Sequence, residues 1–352
     1  MKIRKLLKSL TIFVLAGVAA LSMAACGLTS IGGNASNDSG KITLVWYPNE
    51  SASDYQSARD EFAKLITQAT GKEVEHKLTT DYSIAIEAVA GGTAQICFMG
   101  AQGYIEANEK SKDVKPLFVN SGASGTLDDA LYYSWLAVNK GDEEEYMDNG
   151  KYSIANIQGK KISFVSNSST SGFKVPTSGI LSFFSKTEAW SKITVDDLVE
   201  GGSGKFFDEV LFGGSHQGSA VNLLSGKADV AAFCDTEMMN YMDLSSGEEN
   251  KAGAVYEVKS DASAPFDSLK GKQCVVIQST PVLNGPFAYN SKTLSADDVK
   301  KIQELFTSDE VANNPQIFVT EDSDKIGMFK KADKERFVLV EDSWYDPIRE
   351  LE

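Results

Sequence analysis

Histidine is scarce: the chain carries two, His76 and His216, in 352 residues. Cysteine numbers four, and no pair stands as CxxC. With so few ligands of either type a zinc centre is unsupported, and no metal or cofactor is expected. No G-x-S-x-G elbow occurs, so a serine hydrolase would have to be assembled from scattered residues. Positive charge is also short. Thirty-four Lys and Arg face 49 Asp and Glu, a formal charge of −15. Such a surface disfavours nucleic acid and broad adhesion to anionic lipid. A small anionic ligand stays admissible, because local dipoles can oppose the global field. What is present suits a core: 42% of residues are hydrophobic and only eight are proline. A chain of this length has room for two domains or lobes.

Long hydrophobic runs are missing except at the start. Lys2, Arg4, Lys5 and Lys8 precede an uncharged run from Leu10 to Leu21. That pattern reads as an export signal over residues 1–25. It is short for a spanning helix, which needs about 20 apolar residues. "LSMAACG" (Leu21 to Gly27) resembles the lipobox of bacterial lipoproteins, with Met23 where Leu is usual. The resemblance implies lipidation of Cys26, which becomes the mature N-terminus. The Gly-, Ser- and Asn-rich residues 26–40 then form a flexible tether with a reach of roughly 20 Å. The expected location is extracytoplasmic, lipid-anchored to the bacterial cell membrane. Loss of the signal's four basic residues takes the formal charge from −15 to −19. Cys97, Cys234 and Cys274 remain, an odd number that cannot fully pair. Each sits in or beside an apolar run and reads as a buried thiol.

From Lys41 strand and helix patterns alternate. "ITLVWY" is a run of strand length, buried on both faces. A helical pattern follows, with Ser53 or Asp54 as cap and Gly71 as stop. "KEVEHKLT" alternates as a strand; Asp81 caps a second helix closed by Gly91 and Gly92; "AQICFMG" is the next strand. A second unit repeats this with "YYSWLAVN", an exposed acidic loop "GDEEEYMDNGKYS", "KKISFVS", a helix from Phe173 to Phe184, and "SAVNLLSGKADVAAFCD". The order predicts an α/β protein of two lobes with mostly parallel sheets flanked by helices and a ligand cleft between. "STPVLNGPFAYN" carries the chain back to the first lobe, and Ser295 caps a late amphipathic helix. The lobes are expected at residues 41–133 plus 279–352 and at 134–278, with a hinge in the two crossings.

One stretch concentrates hydroxyls. In "SFVSNSSTSGF" (Ser163 to Phe173) a strand runs into Ser168, Ser169, Thr170 and Ser171 ahead of a helix. Free amides and the helix dipole favour an anion there, and hydroxyls add donors without charge. A lone serine would be read as an N-cap; four hydroxyls in a row point to binding. His216 lies at a loop–helix junction between glycines. Asp235 falls at a strand carboxyl end, either capping the next helix or accepting a hydrogen bond from a protonated ligand oxygen or a ligand amine. Gly100, Gln102 and Tyr104 stand at the matching end in the first lobe, and Tyr82 stands beside Asp81.

With these segments in order, the sequence resembles the PhnD-like phosphate/phosphite/phosphonate-binding lipoproteins of ABC importers. The likeness rests on "TTDYSIAIEAVAGGTAQICFMGAQGY", "SNSSTSGFKVP", "GGSHQGSAVNLLSGKADVAA" and "STPVLNGPFAYN". It implies a type II periplasmic-binding-protein fold with a hinged cleft and no catalysis. Ser168 to Ser171 and His216 would donate to the oxyanion, Asp235 would read a protonated group, and Tyr82 and Tyr104 would line the pocket. The implied partners are a small oxyanion, the ABC permease and its ATPase subunit; nucleic acid is excluded, the membrane is met through the lipid alone, and the chain is a monomer. Phe98, Met99 and Gln217 depart from the usual pattern and bear on which ligand fits. Alternatives are a sulfonate or a small organic vitamin precursor on the same scaffold, an exported serine hydrolase using Ser169 or Ser215 with His216, and a surface sensor or adhesin.

Overall fold

The computed structural model describes residues 40–320, 323 and 326–351. The export segment, Cys26 and the tether up to residue 39 lie outside the described residues. In β1 (Lys41–Trp46) Leu44 and Trp46 pack to one side and Val45 to the other, all buried. This alternation is why the run is apolar throughout.

The chain continues through α1 (Gln56–Thr70), β2 (Glu73–Leu78), α2 (Tyr82–Ala90), β3 (Ile96–Phe98), α3 (Ala101–Lys110) and β4 (Val114–Asn120). Asp81 caps α2 by accepting the Ser83 amide at 2.7 Å, and Gly71 ends α1 at φ 73°. Neither Ser53 nor Asp54 caps α1. They form a 3-10 turn whose Ser53 carbonyl takes the Gln56 amide, so the chain feeds straight into the helix.

β5 (Leu131–Asn139) enters the second sheet. A hairpin, β6 (Met147–Asp148) and β7 (Lys151–Tyr152), occupies the expected acidic loop, and Tyr146 there is buried. Then come β8 (Lys161–Phe164), α4 (Val175–Phe184), α5 (Val195–Val199), β9 (Glu209–Phe212), α6 (His216–Leu224), β10 (Val230–Cys234) and α7 (Asp235–Met238). α4 begins at Val175, two residues later than expected. Thr170–Lys174 is a wide π-type turn, and Pro176 supplies no amide to tighten it. β11 (Met242–Ser246), β12 (Val255–Val258) and β13 (Gln273–Leu283) complete this half. β14 (Phe287–Asn290), α8 (Ala296–Phe306), α9 (Asp309–Ala312), β15 (Phe318–Val319), β16 (Phe329–Lys330), β17 (Phe337–Val338) and α10 (Asp346–Arg349) return to the first. Ser295 caps α8 as expected.

Two sheets result, ordered β17-β4-β14-β3-β1-β2 and β11-β12-β13-β5-β10-β8-β9. They are mixed rather than mostly parallel. In the first, β1 pairs parallel with β2 and β3, while β14 and β17 run antiparallel. In the second, only the pairs of β8 with β9 and β10 are parallel. β14 and β17 come back from the far end of the chain, so neither is joined to its neighbours in the sheet by the strand–helix–strand crossover that parallel pairing uses.

β5 and β13 pair antiparallel along their lengths, from Leu131 opposite Leu283 to Asn139 opposite Cys274. Residues 133 and 279, expected to mark the passage between lobes, therefore lie inside this ladder. Pro281 is tolerated within β13 because β12 pairs only with Gln273–Val275 and leaves that side open. Apolar clusters cover both faces of each sheet, Phe62 and Ile302 on one face of the first and Ile86 and Ile105 on the other. Each such buried side chain contributes about 1.5–3 kcal/mol.

Candidate ligand-binding site

A cavity of about 90 Å³ lies where strand carboxyl ends of the two sheets meet. β1 leads to Asn49 and Glu50, β3 to Met99 and Gly100, β10 to Thr236 and Glu237, and the loop after β8 brings Ser169, Thr170 and Ser171. His216 and Tyr82 complete the match with sequence expectation. Tyr55, Tyr132, Asn284, Met328 and Phe329 also line it.

The hydroxyl loop is held from both halves. Ser169 Oγ accepts the Gly172 amide at 3.0 Å and lies 3.5 Å from His216 Nε2. Thr170 Oγ1 accepts the Gln102 amide at 2.9 Å, which leaves its own proton to donate elsewhere. Ser171 Oγ, with the Tyr132 hydroxyl as a polar neighbour on the cavity side, is buried without a well-formed hydrogen bond among the described residues, as is His216 Nδ1. Burial alone holds the His216 imidazole down to about 3, so the ring is neutral at physiological pH. Ser215 caps α6 by accepting the Gly218 amide at 3.0 Å. Among the described residues no carboxylate meets His216 Nδ1, and Ser215 Oγ is engaged as the cap of α6.

Four expected residues do not line the cavity. Ser168 Oγ donates to Glu106 at 2.7 Å, and the Gln102 side chain donates to the same carboxylate at 3.0 Å. The Ser168 bond ties the loop to α3 from behind, and the Gln102 bond, one turn along the same helix, holds the shared carboxylate in place. The Tyr104 hydroxyl donates at 2.5 Å to Asp342, an exposed residue next to α10, so it points away from the cavity. Asp235 accepts from the Tyr133 amide (2.9 Å), the Thr236 amide (2.8 Å) and Asn250 Nδ2 (3.1 Å). Its carboxyl is occupied by its own lobe, and burial pushes it up to about 6. It lines an adjoining cavity together with Glu335.

Sequence reasoning passed over Asn49, Glu50 and Glu237. Asn49 Nδ2 donates to the Tyr82 hydroxyl at 2.8 Å, and its Oδ1 accepts the His216 amide at 3.1 Å. Glu50 is 4% exposed, and its Oε2 has no partner among the described residues. The Glu237 carboxyl accepts from Gln217 Nε2 at 3.0 Å and faces that of Glu50. Burial first, then the neighbouring Glu237 charge, pushes the Glu50 carboxyl well up; burial likewise raises Glu237. Among the described residues lining the cavity none is Lys or Arg. An anion here meets neutral donors on one wall and two carboxyl groups on the other.

The family of ABC transporter phosphonate periplasmic substrate-binding proteins matches this chain over residues 44–345. The chain belongs to that family. It is thus an extracytoplasmic phosphonate-binding component of an importer, which delivers ligand to a permease and is not an enzyme. The Phosphate-import protein PhnD of Mycolicibacterium smegmatis is 28% identical over 249 residues, 65% of this chain and 70% of that relative. A binding protein component of an ABC phosphonate transporter from Pseudomonas aeruginosa superposes with a TM-score of 0.61 at 20% identity, covering 88% of this chain and 85% of that one. PhnD1 of Prochlorococcus marinus, solved in complex with methylphosphonate, gives 0.60 at 15% identity, covering 89% and 97%. At these identities the two structures show the shared two-lobe fold. No helix among the described residues of the binding protein is long and apolar enough to cross a membrane.

Proposed function

We propose that the protein captures a phosphonate-, phosphite- or phosphate-type oxyanion in this cavity, held by Ser169, Thr170, Ser171 and His216. One observation carries the reading: among the described residues, Ser171 Oγ and His216 Nδ1, both on residues that line the cavity, are buried without a hydrogen-bond partner. Buried polar groups are nearly always satisfied, so two such groups on one wall await an acceptor. The leading turn of α4 adds its free amides and dipole. Gly100 lets Thr170 approach, and Tyr82 closes the opposite side.

The role first assigned to Asp235, reading a proton on the ligand, passes to Glu50 and Glu237, whose carboxyls line the cavity. A ligand carrying a hydroxyl or ammonium donor satisfies that wall; a fully deprotonated anion is repelled by it. Ser168, Gln102 and Tyr104 act behind the site, holding the loop and α3.

The same proposal takes residues 1–25 as an export signal, Cys26 as the lipidated N-terminus, residues 26–40 as tether and a monomer as the working unit. Cys26→Ser should release the protein from the membrane fraction. The lobes, at residues 41–133 plus 279–352 and at 134–278, close on the ligand about β5 and β13. Calorimetric titration with phosphate, phosphite, methylphosphonate, aminoethylphosphonate and methanesulfonate tests the ligand class. At least one phosphorus oxyanion should bind more tightly than the sulfonate. Binding of the sulfonate alone would replace the ligand class, and silence across the panel would overturn the site.

A further inference from the structure

Arg59 on α1 is 1% exposed, the most deeply buried charged side chain described. Its acceptors are neutral. Nη1 donates to the carbonyl of Glu50 and, at 2.8 Å, to that of Ala52; Nη2 donates to Gln56 Oε1 at 3.0 Å. Burying a guanidinium without a bound carboxylate is unfavourable, so its retention asks for a reason. The segment it grips gives one. Asn49–Ser51 and Ser53–Tyr55 are two successive 3-10 turns, and neither has a side-chain cap. Short 3-10 turns have poorer hydrogen-bond geometry than an α-helix, so outside contacts help to fix their shape.

We infer that Arg59 is the positioning residue of the ligand site: by clamping the Glu50 and Ala52 carbonyls it fixes the turn that carries Asn49 and Glu50 into the cavity. It touches no ligand. It acts through Asn49, which meets the Tyr82 hydroxyl at 2.8 Å and the His216 amide at 3.1 Å. Gln217 Nε2 reaches the Asn49 carbonyl at 3.4 Å. Nη1 serves both carbonyls while Nη2 reaches Gln56 Oε1, and the planar guanidinium holds these two nitrogens in one fixed geometry that the single, mobile ammonium nitrogen of lysine does not reproduce. The inference rests on the proposed reading of the cavity, and its test separates the two.

Arg59→Lys keeps the charge and removes the fork; Gln56→Ala loosens the guanidinium more gently at an exposed site. Two readouts are compared with wild type. The first needs no ligand: hydrogen exchange at the His216 amide should quicken at least tenfold in Arg59→Lys, beyond any change at Leu223 and Leu224 of the same helix. The second is affinity for methylphosphonate and phosphate, which should fall about tenfold in Arg59→Lys and less in Gln56→Ala. Asn49→Ala and the Arg59→Lys, Asn49→Ala double variant should bind alike, since the two residues act in series. Unchanged His216 exchange, or additive losses in the double variant, would overturn the inference. Should Arg59→Lys fail to fold, unaltered His216 exchange and affinity in Gln56→Ala would overturn it equally. If wild type binds neither probe, the cavity reading fails, while the exchange result still decides whether Arg59 positions Asn49.

Discussion

The backbone amide of His216 donates to Oδ1 of Asn49 across 3.1 Å, joining residues 167 positions apart. His216 is the first residue of α6, so this amide has no acceptor within its own helix. Asn49, at the carboxyl end of β1, supplies one from the other sheet. With the amide already taken, the side chain is what His216 has left to offer the cavity it lines. Gln102 to Thr170 and Asn240 to Tyr55 are further bonds between the halves, the latter at 3.0 Å. Each of these bonds has at least one partner that lines the cavity: Asn49 and His216, Thr170, and Tyr55.

Asn49→Ala should weaken binding of the phosphorus oxyanion that titrates best by about tenfold, about 1.4 kcal/mol. The variant strands the His216 amide and the Tyr82 hydroxyl while leaving the proposed oxyanion donors in place. Calorimetry at fixed pH measures it, and unaltered affinity would show that the Asn49 bonds contribute nothing to capture.

Gly100→Ala probes closure by sterics alone. The backbone of Gly100 has φ −68°, which alanine adopts without strain. An added Cβ would sit 2.8 Å from Thr170 Oγ1, too close for the Gln102–Thr170 contact to survive. The variant should fold with wild-type stability yet bind weakly, and X-ray scattering with saturating ligand should show a larger radius of gyration than closed wild type. A variant that closes and binds normally refutes the contact's role.

Much of this site was legible because strand ends in α/β sheets are where ligands bind. Ser169, Thr170 and Ser171 stood out as clustered hydroxyls, and His216 as a rare residue at a helix start. The same rule applied to β1 would have flagged "PNE", since Asn49 and Glu50 follow a buried strand directly. Asp235 stands first after β10, which is why it reads as the strand-end carboxylate. One helical turn decides otherwise: Asp235 turns back to the Tyr133 amide, and Glu237, two residues on, reaches the cavity. Strand direction was not legible, because parallel and antiparallel buried strands carry the same apolar run. Arg59 was invisible, since a charged residue on an amphipathic helix reads as solvent-facing until its acceptors are seen.

Asp235 links pH to stability. Burial raises its folded carboxyl to about 6, against an ordinary value of about 3.9. A raised carboxyl contributes stability that is fully present below about pH 4 and is lost as pH rises through 6. Wild type should therefore lose up to about 3 kcal/mol relative to Asp235→Asn between pH 4 and pH 7.5. Urea denaturation of both proteins at four pH values measures the difference. Curves that stay parallel would mean the carboxyl is ionised throughout.

Glu50 links pH to binding. Burial and the facing Glu237 raise its carboxyl, so the pair keeps a proton that an isolated carboxylate would have lost. While a proton is held, the acidic wall can donate to or share with the oxyanion. As pH rises through the raised values the wall gains negative charge, and affinity for an anion falls. His216 does not offset this, because its ring is neutral over the whole range. In Glu50→Gln the wall has one carboxyl fewer, so the decline with pH should flatten. Affinity for sulfate, which brings no proton of its own, should rise about tenfold from removal of one facing charge. The ligand's own titration is common to both proteins and cancels in the ratio of their dissociation constants between pH 5.5 and 8.5. A ratio constant across that range would place the Glu50 charge outside the binding equilibrium.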